Sequence, residues 1–331
     1  MKKAIYVMDK EPFDLVYPDF VRQQIEQDVN IIGPPMSRQE LHNNPTILKD
    51  VEIVLSGWGG PAIDTALLDH APHLKAVLYA AGSIKQIATD EAWERGIVFS
   101  TAVHANAIPV AEFTLSQIIF SLKNGWQFVR QIKRERQFPN KPFMIPGAFK
   151  SKIGIISLST VGRCVVELLQ PFDVEILAFD PFVTKEEADR LGVKLCSLEE
   201  IFEFSDIVSL HAPLLPKTIG MITGDHIHSM KEGASFINTA RGAIVKESEM
   251  VDILRKRKDI TAILDVTDPE PPLSDSELFQ LENVVITPHL AGSEGAECGR
   301  MGQYMLEELR RYIKGDTLRW AVSKEQFERM A

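Results

Sequence analysis

ASFINTARG at Ala234–Gly242, TAILDVTDPE at Thr261–Glu270 and VVITPHLAGS at Val284–Ser293 share one pattern. Each opens as a short apolar run and stops abruptly in polar residues. Runs this short, bounded by turn residues and separated by helical segments, read as buried parallel strands. Ligands of such sheets sit beyond the carboxyl ends of the strands. Three strand ends therefore deliver Arg241, Glu270 and His289 to one edge. A guanidinium, a carboxylate and an imidazole gathered there are the parts for binding an anion and moving a proton.

The same reading extends upstream. An α/β array begins at Lys152, with strands expected at Ile153–Ser157, Val174–Phe179, Asp206–Leu210, Ala234–Asn238, Thr261–Leu264 and Val284–Thr287. Thr184-x-x-Glu187 and Ser197-x-x-Glu200 are capping-box patterns that start helices, and Gly192 stops the first of these. Six strands joined by helical crossovers predict a doubly wound nucleotide-binding sheet. Residues 1–102 alternate strands (Ala4–Met8, Val51–Leu55, Lys75–Tyr79, Ile97–Phe99) with helices such as Asp64–His70 and Thr89–Arg95, an α/β unit in its own right. Asn106 is placed to cap a long helix through Lys123, with Pro109 tolerated in its first turn and Asn124-Gly125 ending it. Phe138–Lys150, rich in proline, glycine and aromatics, reads as a connector that packs against something. A last helix runs from about Ser293 to Lys314 and stops at Gly315.

The chain has 331 residues, enough for about two domains. Its formal net charge of −10 disfavours nucleic acid as a partner, since that binding needs a basic face. Lys2-Lys3 precede only a brief apolar run, so no signal peptide is expected at the start. The longest nearly apolar run, Pro109–Leu122, contains Glu112 and is shorter than the ~20 residues a membrane span needs. Cys164, Cys196 and Cys298 are scattered and odd in number, which predicts neither a disulfide framework nor a metal site, and a reduced cytoplasmic setting. His226-x-His228 lacks a third ligand nearby, so no metal is expected there either.

Between the first strand of the array and its helix stands Ser157-Leu158-Ser159-Thr160-Val161-Gly162, where a dinucleotide GxGxxG belongs. Serines occupy the first two glycine positions; the third glycine, which lets helix and strand pack closely, is kept. The helix N-terminus still offers N–H groups and a positive dipole end to a phosphate. Asp180 ends the second strand, where a carboxylate holds ribose hydroxyls and repels a 2′-phosphate, favouring NAD over NADP.

These residues resemble the D-isomer-specific 2-hydroxyacid dehydrogenases. The most specific parts are Asn238-Thr239-Ala240-Arg241-Gly242, Asp265-Val266 with Glu270-Pro271, and Thr287-Pro288-His289, in this order and at family-like intervals. His211-Ala212-Pro213 with Thr218 and Val110-Ala111-Glu112 support it. The resemblance implies a discontinuous substrate domain (1–103 plus 293–331), an NAD-binding Rossmann domain (104–292) and a cleft between them. It also implies a homodimer built through the cofactor domains, with Phe138–Lys150 at that interface. Cofactor contacts are implied at Ser159, Thr160, Val161, Gly162, Asp180, His211, Pro213, Thr218, Thr239, Ala240, Asp265 and Gly292, with Asp265 near the nicotinamide carboxamide. Substrate contacts are implied at Ala81, Gly82, Ser83 and Arg241. Two departures stand out: the serines of the phosphate turn, and a substrate loop reading Ala80-Ala81-Gly82-Ser83-Ile84 with Lys85 where an Asp is common. Formate dehydrogenases of the family place Gln where Glu270 stands, which argues against formate.

The expected chemistry is hydride exchange between NAD and a small D-2-hydroxy acid or its 2-keto form, such as glyoxylate, hydroxypyruvate or a phosphorylated glycerate. Arg241 anchors the carboxylate and carbonyl oxygens, His289 exchanges the proton, and Glu270 fixes the tautomer of His289 and favours its charged form. The competing reading is a nucleotide-binding regulatory or interaction protein of the same fold with little turnover, favoured by the two serines and disfavoured by the Arg241, Glu270 and His289 set. Trp58-Gly59-Gly60 reads equally as a pocket wall or a turn. The basic run Arg255–Lys258 complements a helix C-terminus.

Overall fold

The structure, a computed structural model, describes residues 1–141 and 145–330. Contacts divide the chain into two compact units, Met1–Asn106 with Ser293–Ala331, and Ala107–Gly292. Pro142, Phe143 and Met144 of the expected connector lie outside the described residues.

The first unit is built on β1 (Lys3–Val7), β2 (Asn30–Ile31), β3 (Ile53–Ser56), β4 (Ala76–Tyr79) and β5 (Val98–Thr101). The second holds β6 (Lys152–Ile156), β7 (Glu175–Phe179), β8 (Lys194–Leu195), β9 (Ile207–Leu210), β10 (Ser235–Asn238), β11 (Thr261–Leu264) and β12 (Val284–Ile286); β13 (Ala321–Val322) returns to the first. Among the described residues the first sheet runs β13-β5-β4-β3-β1-β2, parallel except for antiparallel β13. The second runs β12-β11-β10-β9-β6-β7-β8, all parallel, the doubly wound order of a nucleotide-binding sheet extended by one strand.

Side-chain alternation explains why these strands are continuously apolar. Phe236 and Leu264 point to one face of the second sheet, into a core with Phe202 and Leu254. Their neighbours Ile237 and Ile263 point to the other, with Val166, Leu169 and Ile118. Helices cover both faces, so a strand has no solvent side on which a polar residue would be favoured. In the first unit Ile53 and Leu55 alternate with Val54 in the same way. Helix Cys298–Lys314 sets Met301, Met305 and Leu309 into that core, which is how the chain's last segment joins its first. The buried Glu308 on this helix accepts hydrogen bonds from Ser100 Oγ (2.6 Å), Arg319 N (2.9 Å) and Trp320 N (3.1 Å), locking β13 against β5.

Two expectations about the middle of the chain are corrected. The long helix spans Val103–Ser121, and Asn106 lies inside its first turn, where its N–H already bonds Ala102 O. Its side chain instead accepts from Ser293 N at 2.9 Å. Asn124 does not simply end the helix: it takes a left-handed conformation (φ 52°), and a second helix, Gly125–Glu135, starts at once. A Cβ at Gly125 would meet the Phe120 ring at 2.6 Å, so that partly exposed ring packs directly over the start of the second helix. Among the described residues no single helix is long and apolar enough to cross a membrane, though these two, bent by 61°, reach that length together. Among the described residues no group of His, Cys, Asp and Glu is placed to hold a metal. His226 caps a helix: Thr223 N donates to its Nδ1 at 3.1 Å.

Candidate active site

β10, β11 and β12 are immediate neighbours, with Asn238 opposite Leu264 and Leu264 opposite Ile286. Thr239, Asp265 and Thr287 are therefore the flush first residues beyond one edge, and everything that follows them fans out from there.

The turn after β10 is organised by Asn238. Its Oδ1 accepts from Ala240 N (3.0 Å), and its Nδ2 donates to Arg241 O (3.1 Å), so one buried amide closes the turn at both ends. Thr239 Oγ1 pairs with Thr114 Oγ1 at 3.1 Å. Gly242 admits no side chain, because a Cβ would stand 2.0 Å from the carbonyl carbon of Thr267. That contact lays the Arg241 turn directly on the segment leading to Glu270. Arg241 is half-buried, and its Nη1 donates to Ala240 O at 2.6 Å. Burial pushes the guanidinium below its ordinary value, and the Glu270 carboxylate opposes that shift. A cation held partly out of water beside an acid is suited to an anionic ligand.

His289 follows β12 in a left-handed backbone conformation (φ 54°), uncommon for a side-chain-bearing residue. Asp265 holds it there. Asp265 O accepts from His289 N (2.9 Å); Oδ1 accepts from Thr287 Oγ1 (2.5 Å) and Leu290 N (3.0 Å); Oδ2 accepts from Ala291 N (3.0 Å). Both oxygens of this buried carboxylate thus serve the loop that carries the imidazole. The side chain assigned from sequence to the nicotinamide carboxamide is already engaged in folding. With the loop so set, His289 Nδ1 donates to Glu270 Oε1 at 2.5 Å. An ionised carboxylate only accepts, so the shared proton belongs to Nδ1, and Nε2 takes no part in this contact.

The phosphate turn lies at the same edge, between β6 and helix Thr160–Leu169. Ser159 caps this helix, accepting from Gly162 N (3.4 Å), while its hydroxyl donates to His211 O (2.8 Å). A Cβ at Gly162 would sit 2.1 Å from Ser157 O, so only glycine lets the helix start this close to the strand. Ser157 takes the left-handed conformation (φ 76°) that a glycine would adopt freely. Thr160 and Val161 are half-buried in the first helical turn. Asp180, at the end of β7, accepts from Leu158 N (2.8 Å), Ser157 Oγ (3.2 Å) and Phe182 N (2.9 Å). A carboxylate has room for about four such bonds, so capacity for a ribose hydroxyl remains. Thr218 Oγ1 donates to Pro213 O (2.6 Å) and pins the loop after β9. The ring of His211 is buried with Nε2 on Ser209 Oγ (2.9 Å), and burial holds it neutral, its pKa down at about 3. Gly292 is the last residue of this unit.

In the first unit, Ala81, Gly82 and Ser83 follow β4 at the carboxyl edge of that sheet. Ala81 O accepts from Ala102 N at 3.0 Å, and Gly82 lies beside the Asn106 amide. Lys85 is turned away onto the ring of Phe327, 4.4 Å from its centre. Trp58 is half-buried against both cores of this unit, which is a packing role. Sequence reading missed the closing function of Asn238, although an Asn at a strand end followed by a turn is its ordinary signal. It also missed Glu247, whose contact with Asp268 has no local signature.

Residues 115–291, more than half of the chain, match the family model described as "D-isomer specific 2-hydroxyacid dehydrogenase, NAD binding domain". A D-3-phosphoglycerate dehydrogenase of Archaeoglobus fulgidus is 32% identical over 323 residues, covering 97% of this chain and 60% of that protein. One from Methanocaldococcus jannaschii is 30% identical over 270 residues, covering 81% and 51%. The chain thus spans only about half to 60% of these relatives. In fold it is similar to a phosphoglycerate oxidoreductase from Rhizobium etli (TM-score 0.83, 20% identity, 98% and 99% of the two chains). It is similar also to an NAD-complexed D-isomer-specific 2-hydroxyacid dehydrogenase from Lactobacillus delbrueckii ssp. bulgaricus (TM-score 0.79, 22% identity, 98% and 100%). An NAD-type phosphate turn and an ordered Arg241, Glu270 and His289 set agree with the match over residues 115–291: the chain belongs to the D-isomer-specific 2-hydroxyacid dehydrogenase family, and its second unit is that family's NAD-binding domain.

Proposed function

We propose that the chain is an NAD-dependent oxidoreductase exchanging a hydride with a small D-2-hydroxy acid or its 2-keto form. The observation that carries the reading is the Glu270–His289 hydrogen bond beside a half-buried Arg241, at the carboxyl edge of an NAD-binding sheet. The residues present fit the cofactor: Gly162 lets the helix start close against the strand, and the N-terminus of Thr160–Leu169 faces the turn. Ser159, Thr160, Val161 and Gly162 would hold its phosphates and Asp180 a ribose, with Pro213, Thr218, Thr239, Ala240 and Gly292 as its further neighbours. The bound nicotinamide supplies or accepts the hydride.

Arg241 binds the substrate's carboxylate and polarises its carbonyl through the planar fork. Ala81, Gly82 and Ser83 contribute further substrate contacts. His289 Nε2 gives its proton to the oxygen of the 2-keto acid during reduction and takes it back during oxidation. Glu270 keeps Nδ1 protonated, so the proton at Nε2 is the one exchanged. Glyoxylate, hydroxypyruvate and a phosphorylated glycerate are the substrates proposed. The curated relatives named above are phosphoglycerate dehydrogenases, which supports the last of these.

The test is NADH oxidation over a panel of 2-keto acids, with wild type and His289→Ala. The variant is expected to lose at least ~100-fold in kcat with NADH affinity unchanged. Turnover near wild type would remove His289 as the acid. Tight NADH binding without turnover on any panel member would favour the regulatory reading instead.

We also propose a homodimer formed through the second unit. Helix Gly125–Glu135 carries Trp126, Phe128, Val129 and Ile132, yet none of its residues is buried within one chain. Those four are half-buried, and Phe120, Phe138 and Phe149 are exposed. Exposed apolar surface gathered in this way marks an interaction site.

A further inference from the structure

Glu247 opens helix Glu247–Lys256, just beyond the Arg241 turn. It is half-buried, and its surroundings do not favour a charge. Lys246 is paired with Glu249 (3.1 Å), and Arg255 is shared between Asp252 and Glu277. Among the described residues Glu247 therefore has no ion pair. Asp252, Asp268 and Glu277 line the same cavity, of about 710 Å³. Burial raises the pKa of the Glu247 carboxyl; the hydrogen bond from Asp268 N opposes that shift and the Asp268 charge adds to it. The helix N-terminus favours the charge by only ~0.5 kcal/mol.

What a shorter side chain could not do is reach Asp268. Glu247 Oε2 accepts from Asp268 N at 3.2 Å. Gly242 packs directly on the same peptide: a Cβ there would lie 2.0 Å from Thr267 C and 2.6 Å from Asp268 N. Thr267 Oγ1 also donates to Pro269 O at 2.8 Å, stiffening the two residues that remain before Glu270. The carboxylate paired with His289 thus hangs on a short segment whose root touches both Gly242 and Glu247.

We propose that Glu247 is a positioning residue: its carboxylate holds the Thr267–Asp268 peptide and thereby sets Glu270 against His289 Nδ1. The role in turnover rests on the oxidoreductase reading; the geometric role does not. Glu247→Ala removes the acceptor, whereas Glu247→Gln keeps an oxygen in reach. Each variant is measured for kcat, for KM with the best 2-keto acid and with NADH, and for the downfield proton resonance of the Nδ1–H shared by His289 and Glu270. In Glu247→Ala the resonance is expected to broaden or move upfield and kcat to fall about tenfold, with KM for NADH unchanged. Glu247→Gln restores both. An unchanged resonance in Glu247→Ala overturns the proposal, as does a Gln variant no better than Ala. A wild-type protein that turns over no 2-keto acid sinks the oxidoreductase reading, and the resonance then still decides what Glu247 does.

Discussion

Asp265 is the residue on which the imidazole depends, although it touches neither ring nitrogen. A left-handed backbone at His289 costs on the order of 1 kcal/mol. Four hydrogen bonds from residues 287–291 to Asp265 hold it in place. Asp265→Ala strips the acceptor from Thr287 Oγ1, Leu290 N and Ala291 N at once. We expect a loss of about 3 kcal/mol in urea unfolding of the protein without cofactor, because donors left unsatisfied cost more than the bonds contributed. A side chain whose main work was to hold nicotinamide would leave cofactor-free stability unchanged, so this measurement separates the two roles. Sequence placed Asp265 at the correct strand end. It could not show that both oxygens turn back into the chain, since that depends on a loop from a different strand.

At the scale of elements, the strands of both sheets were legible wherever they are long enough to show a continuous apolar run. β2, β8 and β13 were not, because two paired residues leave no periodicity to read. The break at Asn124 was seen, but not the helix that follows. Asn-Gly marks a turn without saying whether the chain resumes a helix afterwards, and here it does so at once, at Gly125. That second helix, Gly125–Glu135, carries its own prediction. If its apolar side is the dimer contact, light scattering will give twice the mass of one chain. Phe138→Glu, at a position 90% exposed in one chain, will shift the protein toward monomer without lowering its unfolding temperature. A monomeric wild type would leave those aromatics without the proposed role.

At the scale of the whole molecule, the buried ring of His211 ties stability to pH. Folded, it titrates at about 3; unfolded, at its ordinary 6.5. Below pH 6.5 the unfolded chain takes up a proton that the folded chain refuses. The stabilisation is therefore complete above that pH and lost as pH falls toward 3. Between pH 7 and pH 5 the loss is on the order of 2 kcal/mol. His211→Gln, which keeps a donor for Ser209 Oγ, should flatten this part of the curve by that amount in denaturant unfolding at the two pH values. Equal slopes for variant and wild type would mean that the ring is accessible in the folded state.

The sequence by itself determined the fold class, the parallel sheets and which strand ends carry Arg241, Glu270 and His289. Those follow from local patterning: a strand buried on both faces must be apolar along its length, and the polar residues that end it must lie at the sheet's edge. Only the tertiary structure decided how the side chains at that edge are aimed. The order of strands brought β10, β11 and β12 side by side. Gly242 then met the Thr267 peptide, Asp265 took hold of residues 287–291, and Glu247 closed on Asp268. Each of these contacts joins segments far apart in the chain, and no periodicity or composition within either segment records what the other will offer it.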